Sequence, residues 1–252
     1  MSTRTAETVN HTSKFVTTHG VEVPAVNAAQ MREVDRIAME ETGPNLFQMM
    51  ENAGRNLARL AIDVLGDRWQ EAKVLVLSGS GGNGGGGICA ARHLANRNAS
   101  VTLCLADPAK LQGVPAFQRT ILKWTSAREI AFDRIQDERP DLVLDALIGY
   151  GLQSAPSGQV AGLIEWTRSS AAQVLALDIP SGVDATSGAT PGVFVNARWT
   201  LTLALPKTGL RSQVSGVVYL ADIGIPSAVY QRIGVQYVPP FGRDFCVPLQ
   251  FR

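Results

Sequence analysis

The chain has 252 residues, 45% of them apolar, and 23 Lys plus Arg stand against 22 Asp plus Glu. That length suits one large α/β domain with a substantial core, and no obvious linker divides it. The balanced charge excludes capture of nucleic acid or a membrane surface by bulk electrostatics. No signal-peptide-like apolar stretch opens the chain, and no run of about 18 apolar residues could span a bilayer, so a cytoplasmic location is expected.

Residues 1–22 are polar, with His11 and His19 among them, and read as a flexible arm. A helical pattern follows from Val26, with Met31, Val34, Ile37 and Ala38 at spacings of three and four. Gly43-Pro44 breaks it, and a second helix is predicted over 45–65, stopping at Gly66. The period then changes. Lys73 to Leu77 reads as a buried strand, followed by a glycine loop, a helix from Ile88 to Asn96 and a strand at 101–105. Pro115 suits the first turn of another helix, running to Trp124. Further strands are predicted at 129–132, 142–147, 174–177, 199–205 and 217–220, with a helix over 158–168. Strands alternating with helices imply a mostly parallel sheet with helices on both faces. The main domain is set at 23–236, and 237–252, with Pro239, Pro240 and Pro248, reads as an irregular tail.

Cys89, Cys104 and Cys246 are too few and too scattered for a disulfide framework, and no Cys-x-x-Cys or Cys/His cluster suggests zinc. Cys89 and Cys104 read as buried thiols. His93 falls inside a helix, where packing or surface roles are the ordinary ones.

In such a sheet ligands bind beyond the carboxyl ends of the strands. The segment from Ser78 to Gly87 holds seven glycines in ten residues at a strand-to-helix junction, where the backbone can approach a ligand and helix N–H groups suit a phosphate. It lacks the lysine of a P-loop. Gly79, Gly81 and Gly84 fit G-x-G-x-x-G, and Asp107 lies where a ribose-binding acid would sit, so an ordinary dehydrogenase is an alternative. It leaves two strand-end aspartates unexplained, Asp145 and Asp178, which could bind a cation, accept a ligand hydroxyl or transfer a proton. Lys207 follows another strand and could meet a phosphate, act as an acid or stand solvated at the surface.

These segments together resemble the YjeF N-terminal-domain family of NAD(P)H-hydrate epimerases. The likeness runs from Val26 to Pro226 through Ala29-Gln-Met31-Arg-Glu-Val-Asp35-Arg36, Met50-Glu51-Asn52-Ala53-Gly54-Arg55, the glycine loop, Asp145-Ala-Leu-Ile-Gly149, Asp178-Ile-Pro-Ser181-Gly182 and Leu205-Pro-Lys207. The resemblance implies a three-layer Rossmann-like sandwich, often a homodimer, and an isomerase taking the R epimer of hydrated NADH or NADPH to the S epimer. It implies a potassium ion held by Asn83, Asp145 and Ser181. It implies a substrate lined by Gly82, Asn83, Gly84, Gly85 and Gly86, by the stretch Gly149, Tyr150, Gly151, Leu152, Gln153, Ser154 and Ala155, and by Asp178. Asp178 is the expected proton shuttle, with Lys207 a second catalytic candidate. The loop departs from the family's Gly-x-Gly-Asn-Asn-Gly-Gly-Asp-Gly at Gly82 and Gly86, and Leu152-Gln153-Ser154 stands where Phe-Lys-Gly is usual. An altered pocket for another nucleotide-like ligand, or a non-catalytic dimerising scaffold, are the alternatives.

Overall fold

The computed structural model describes residues 14–252. Helix α1 (Ala28–Ile37) and helix α2 (Leu46–Leu65) each begin with a reciprocal cap. The Asn27 side chain accepts from the Gln30 N–H at 2.8 Å while Gln30 accepts from the Asn27 N–H, and Asn45 with Gln48 repeats the device. Two otherwise orphaned donors are satisfied at each start. Met31, Val34 and Ile37 form the buried stripe of α1.

Seven parallel strands make the centre of the sheet: β3 (Lys73–Ser78), β4 (Ser100–Leu105), β5 (Arg128–Ile130), β6 (Leu142–Ala146), β7 (Gln173–Leu177), β8 (Trp199–Leu203) and β9 (Val217–Ala221). Most are continuous apolar runs because helices cover both faces. Helix α3 (Gly82–Ala95) and α2 bury Leu57, Leu60, Ile88 and Leu94 against Val74, Val76, Leu144 and Leu175. Helix α5 (Gly158–Ser169) buries Leu163, Ile164 and Trp166 against Leu75, Leu77, Val143 and Ala176 on the other face. Helix α4 (Gly113–Leu122) packs on α3, and the short helices α6 (Ser212–Ser215) and α7 (Ser227–Arg232) flank β9 in the chain. This is the three-layer arrangement expected.

The ends of the chain differ from expectation. β1 (Lys14–Thr17), β2 (Glu22–Pro24) and β10 (Cys246–Phe251) extend the sheet in the order β2-β1-β10-β9-β8-β7-β6-β3-β4-β5, all three antiparallel to their neighbours. The expected flexible arm is therefore ordered from Lys14, with Phe15 fully buried and its ring 5.1 Å from Phe251. His11 and the rest of 1–13 lie outside the described residues. The tail read as irregular supplies the strand joining β9 to β1; Pro248 argued against a strand by removing a ladder donor, yet stands opposite Tyr219. The helix expected from Ile88 begins at Gly82, so most of the glycine run is helix rather than loop.

Candidate functional site

The strand order reverses beside β3, with β4 on one side and β6 on the other, which is where a doubly wound sheet opens a crevice. A cavity of about 470 Å³ lies there, within the range of roughly 300–1,000 Å³ usual for small-molecule sites. Its wall combines the start of α3 (Gly81, Gly82, Asn83, Gly86), the segment after β6 (Leu147 to Gly151, with Gln153), Asp178, Lys207 and the inner face of α1 at Met31, Arg32 and Asp35.

Glycine is required by contact here. A Cβ at Gly84 would stand 1.9 Å from the Gly79 carbonyl oxygen, and one at Gly79 would stand 2.0 Å from the Leu147 carbonyl oxygen. The strand-to-helix turn therefore closes tightly enough to aim the first, unpaired N–H groups of α3 at the crevice. Gly149 fits between Asn83 and Asp178, since a Cβ on it would lie 3.1 Å from an oxygen of each.

Asp178 has φ +70°, and the N–H of Ile179 donates to the Leu177 carbonyl at 3.0 Å, closing a three-residue turn. Ala204, at φ +63°, is held the same way by the Leu205 N–H and the Leu203 carbonyl, 2.7 Å apart. Such backbone costs on the order of 1–3 kcal/mol per residue and persists only where the surroundings over-determine it. What these paired turns achieve is a buried ion pair: Lys207 Nζ binds Asp178 Oδ1 and donates to the Leu203 carbonyl at 2.8 Å. Lys207 is wholly buried, which rules out a solvated surface role, and Asp178 is 3% exposed. The other Asp178 oxygen accepts from the Tyr150 N–H at 2.9 Å. The Tyr150 hydroxyl donates to Asp35 Oδ2 at 2.5 Å, and burial raises the Asp35 carboxyl above its ordinary range despite that bond.

Asp145 lies beneath this wall, wholly buried. It accepts from the Ser181 N–H at 2.8 Å, the Ser181 hydroxyl at 2.6 Å and the Leu147 N–H at 3.3 Å. Burial pushes its carboxyl up to about 6, and among the described residues no cationic side chain pairs with it. Asn83 has a buried side-chain amide nitrogen without a partner, and its oxygen faces Gly149. A buried carboxylate without a cationic partner, with the Ser181 hydroxyl beside it and the Ile148 carbonyl 3.2 Å from that hydroxyl, is a donor set that fits a hard cation such as potassium.

The wall thus includes Gly82, Asn83, Gly86, Gly149, Tyr150, Gly151, Gln153, Asp178 and Lys207 from the expected set. It does not include Gly84, Gly85, Leu152, Ser154 or Ala155, nor Asp145 and Ser181 of the expected cation set. Gly84 and Gly85 are buried against Gly79 and Met50, and Ala155 lies against Gly192 instead. Asp107, the candidate ribose ligand, is off the wall and pairs with Lys110 at 3.0 Å. Asp35 and Arg32 carried no expected role. The available signal was a carboxylate four residues after Met31, on the buried face of an amphipathic helix. A second group was also missed: Glu51, Cys89 and His93 converge between α2 and α3.

Residues 46–209 match the family described as YjeF-related protein N-terminus. The chain is 48% identical over 237 residues to an NAD(P)H-hydrate epimerase of Dehalogenimonas lykanthroporepellens, covering 94% of this chain and 97% of that one. It is 32% identical to an NAD(P)H-hydrate epimerase of Rhodopirellula baltica, covering 85% and 90%. Against a bifunctional NAD(P)H-hydrate repair enzyme of Salinibacter ruber it is 36% identical and spans 42% of that longer chain. The crystal structure of yeast ynu0 shares the fold at a TM-score of 0.77 and 19% identity, over 89% of this chain and 99% of that one.

Proposed function

The chain belongs to the YjeF-related protein N-terminus family, and from that premise we propose that it converts the R epimer of hydrated NADH or NADPH to the S epimer. One observation carries the reading: a buried Asp178–Lys207 pair opens on the crevice at the glycine-rich start of α3. The relatives that match nearly end to end are named for this activity.

The hydrated ring bears a hydroxyl on carbon 6, beside the ring nitrogen. Protonating that oxygen lets water leave as the nitrogen lone pair forms an iminium, and the stereocentre is lost. Water then adds to the opposite face and returns a proton. The proton comes from the Lys207 ammonium: Asp178 takes it from Nζ as it passes one to the carbon 6 oxygen, and returns it when water adds. Lys207 positions the carboxyl and supplies the neighbouring acidic N–H. The Asp35 and Asp178 carboxyls and the Tyr150 ring face the positive charge that develops on the ring, while the first N–H groups of α3 meet the phosphates. Potassium, held by Asn83, Asp145 and Ser181, would supply positive charge for Asp145 and for polar ligand oxygens. The same family reading implies a homodimer, which light scattering tests.

The deciding experiment is epimerisation of R-NADHX in potassium buffer, with an S-specific dehydratase reporting the product. Acceleration over the spontaneous rate that disappears in Asp178→Asn is the expected result. If Asp178→Asn leaves the rate unchanged, the shuttle is misassigned. No acceleration by the folded wild-type chain points instead to a different nucleotide-like ligand in a pocket altered at Gly82 and Gly86.

A further inference from the structure

We propose that Glu51, Cys89 and His93 form a divalent metal site of the zinc type at the α2–α3 interface. None of the three lines the crevice. Cys89 and His93 are four apart on α3, so they project from one face one turn apart, the spacing that paired metal ligands use on a helix. Glu51 reaches them from α2. The Cys89 sulfur, a His93 ring nitrogen and a Glu51 carboxylate oxygen all lie within 4.8 Å of one another. Helices α2 and α3 approach closely here because residue 54 is glycine; a Cβ on it would stand 2.4 Å from the Cys89 Cβ.

A positive group already sits among these donors. Arg92 Nη2 is 2.5 Å from Glu51 Oε2, 3.3 Å from Cys89 Sγ and 3.5 Å from His93 Nε2. His93 Nε2 and Cys89 Sγ also meet the Glu51 carboxylate itself, at 2.8 and 3.4 Å, so the three donor side chains from two helices converge on one another around the guanidinium. Arginine serves only the carboxylate well there. A thiol and an imidazole nitrogen are better ligands for a borderline-soft metal than acceptors for a guanidinium. Arg92 itself is incompletely satisfied, its Nε being buried without a partner.

A zinc ion at that point would take sulfur at about 2.3 Å and nitrogen and oxygen at about 2.0–2.2 Å, with water as fourth ligand. The Cys89 S–H bond breaks as the sulfur–metal bond forms, and the proton leaves to solvent. Arg92 turns outward and keeps its charge. The metal would clamp α2 to α3, whose first turn carries Gly82 and Asn83 of the crevice. Chain order hides the site, because Glu51 lies far from the other two donors in the sequence.

The test uses the full chain, stripped with chelator and titrated with Co²⁺. The expected result is a thiolate-to-cobalt charge-transfer band, with the visible absorption of a tetrahedral ion, that Zn²⁺ abolishes. Cys89→Ala and His93→Ala should each weaken binding by at least about tenfold, since even outer-shell partners are worth roughly 10–100-fold. Arg92→Gln should tighten it by roughly tenfold, because a competing positive charge is removed. If Cys89→Ala does not fold, the half-exposed Glu51→Gln makes the same test. No band at saturating Co²⁺ overturns the site, as does a band that survives Cys89→Ala, which would place the metal on another cysteine. Binding at the oxygen donors around Asp145 gives no thiolate band, so the result is independent of the epimerase reading.

Discussion

At the scale of single residues, the crevice depends on a buried pair of opposite charges, Asp178 and Lys207. Lys207 has no access to water, and removing its counter-ion leaves an uncompensated buried ammonium. Asp178→Asn should therefore lower stability by about 3–5 kcal/mol as well as abolish activity. The double variant Asp178→Asn, Lys207→Met should regain most of that stability in urea denaturation while remaining inactive. Recovery of activity with stability would show that the pair is structural. Asp145 makes a prediction of opposite sign. Its folded-state value, about 6, lies above the ordinary 3.8, so the fold favours the protonated carboxyl. Without a cation, stability falls as pH rises between those values and then levels off. Potassium favours the ionised form, so the rise in Tm it causes should be largest above pH 6 and fade below it. Equal Tm values in potassium and in a bulky organic cation at neutral pH would remove the cation from the site.

At the scale of elements, the first turns of α3 separate glycines that are needed from one that is replaceable. Gly82 faces open space and Gly84 meets the Gly79 carbonyl. Gly82→Ala should be accepted and raise stability by up to about 1 kcal/mol through helix propensity. Gly84→Ala should cost more than about 4 kcal/mol, or prevent folding, because a backbone oxygen cannot yield as a side-chain end can. Chemical denaturation of the two variants tests the contrast, and similar losses would mean that the turn is not closed as described. The glycine run was legible in the sequence as a strand-to-helix junction near a ligand. Its helical character was not, because intrinsic propensity opposes helix at every glycine and only close packing on Gly79, Met50, Leu177 and Ala146 reverses that preference.

For the whole molecule, the added strands make the two ends of the chain interdependent. β10 separates β9 from β1, and its Val247 and Leu249 are buried. Removing 246–252 should release β1 and β2 and cost several kcal/mol, since each such side chain contributes about 1.5–3 kcal/mol. A melting temperature unchanged by that truncation would mean that these strands are ornamental. The alternation of apolar runs, the two amphipathic opening helices, the glycine junction and the strand-end aspartates determined the layered parallel sheet and the neighbourhood of the crevice. These are local patterns, each readable within a short window. The tertiary structure alone decided which short segments complete the sheet edge, that Lys207 is buried against Asp178, that Tyr150 bridges to Asp35, and that Glu51 meets Cys89 and His93. Each of these joins residues distant in the chain, and the energy that selects them comes from desolvation and packing, which no local window contains.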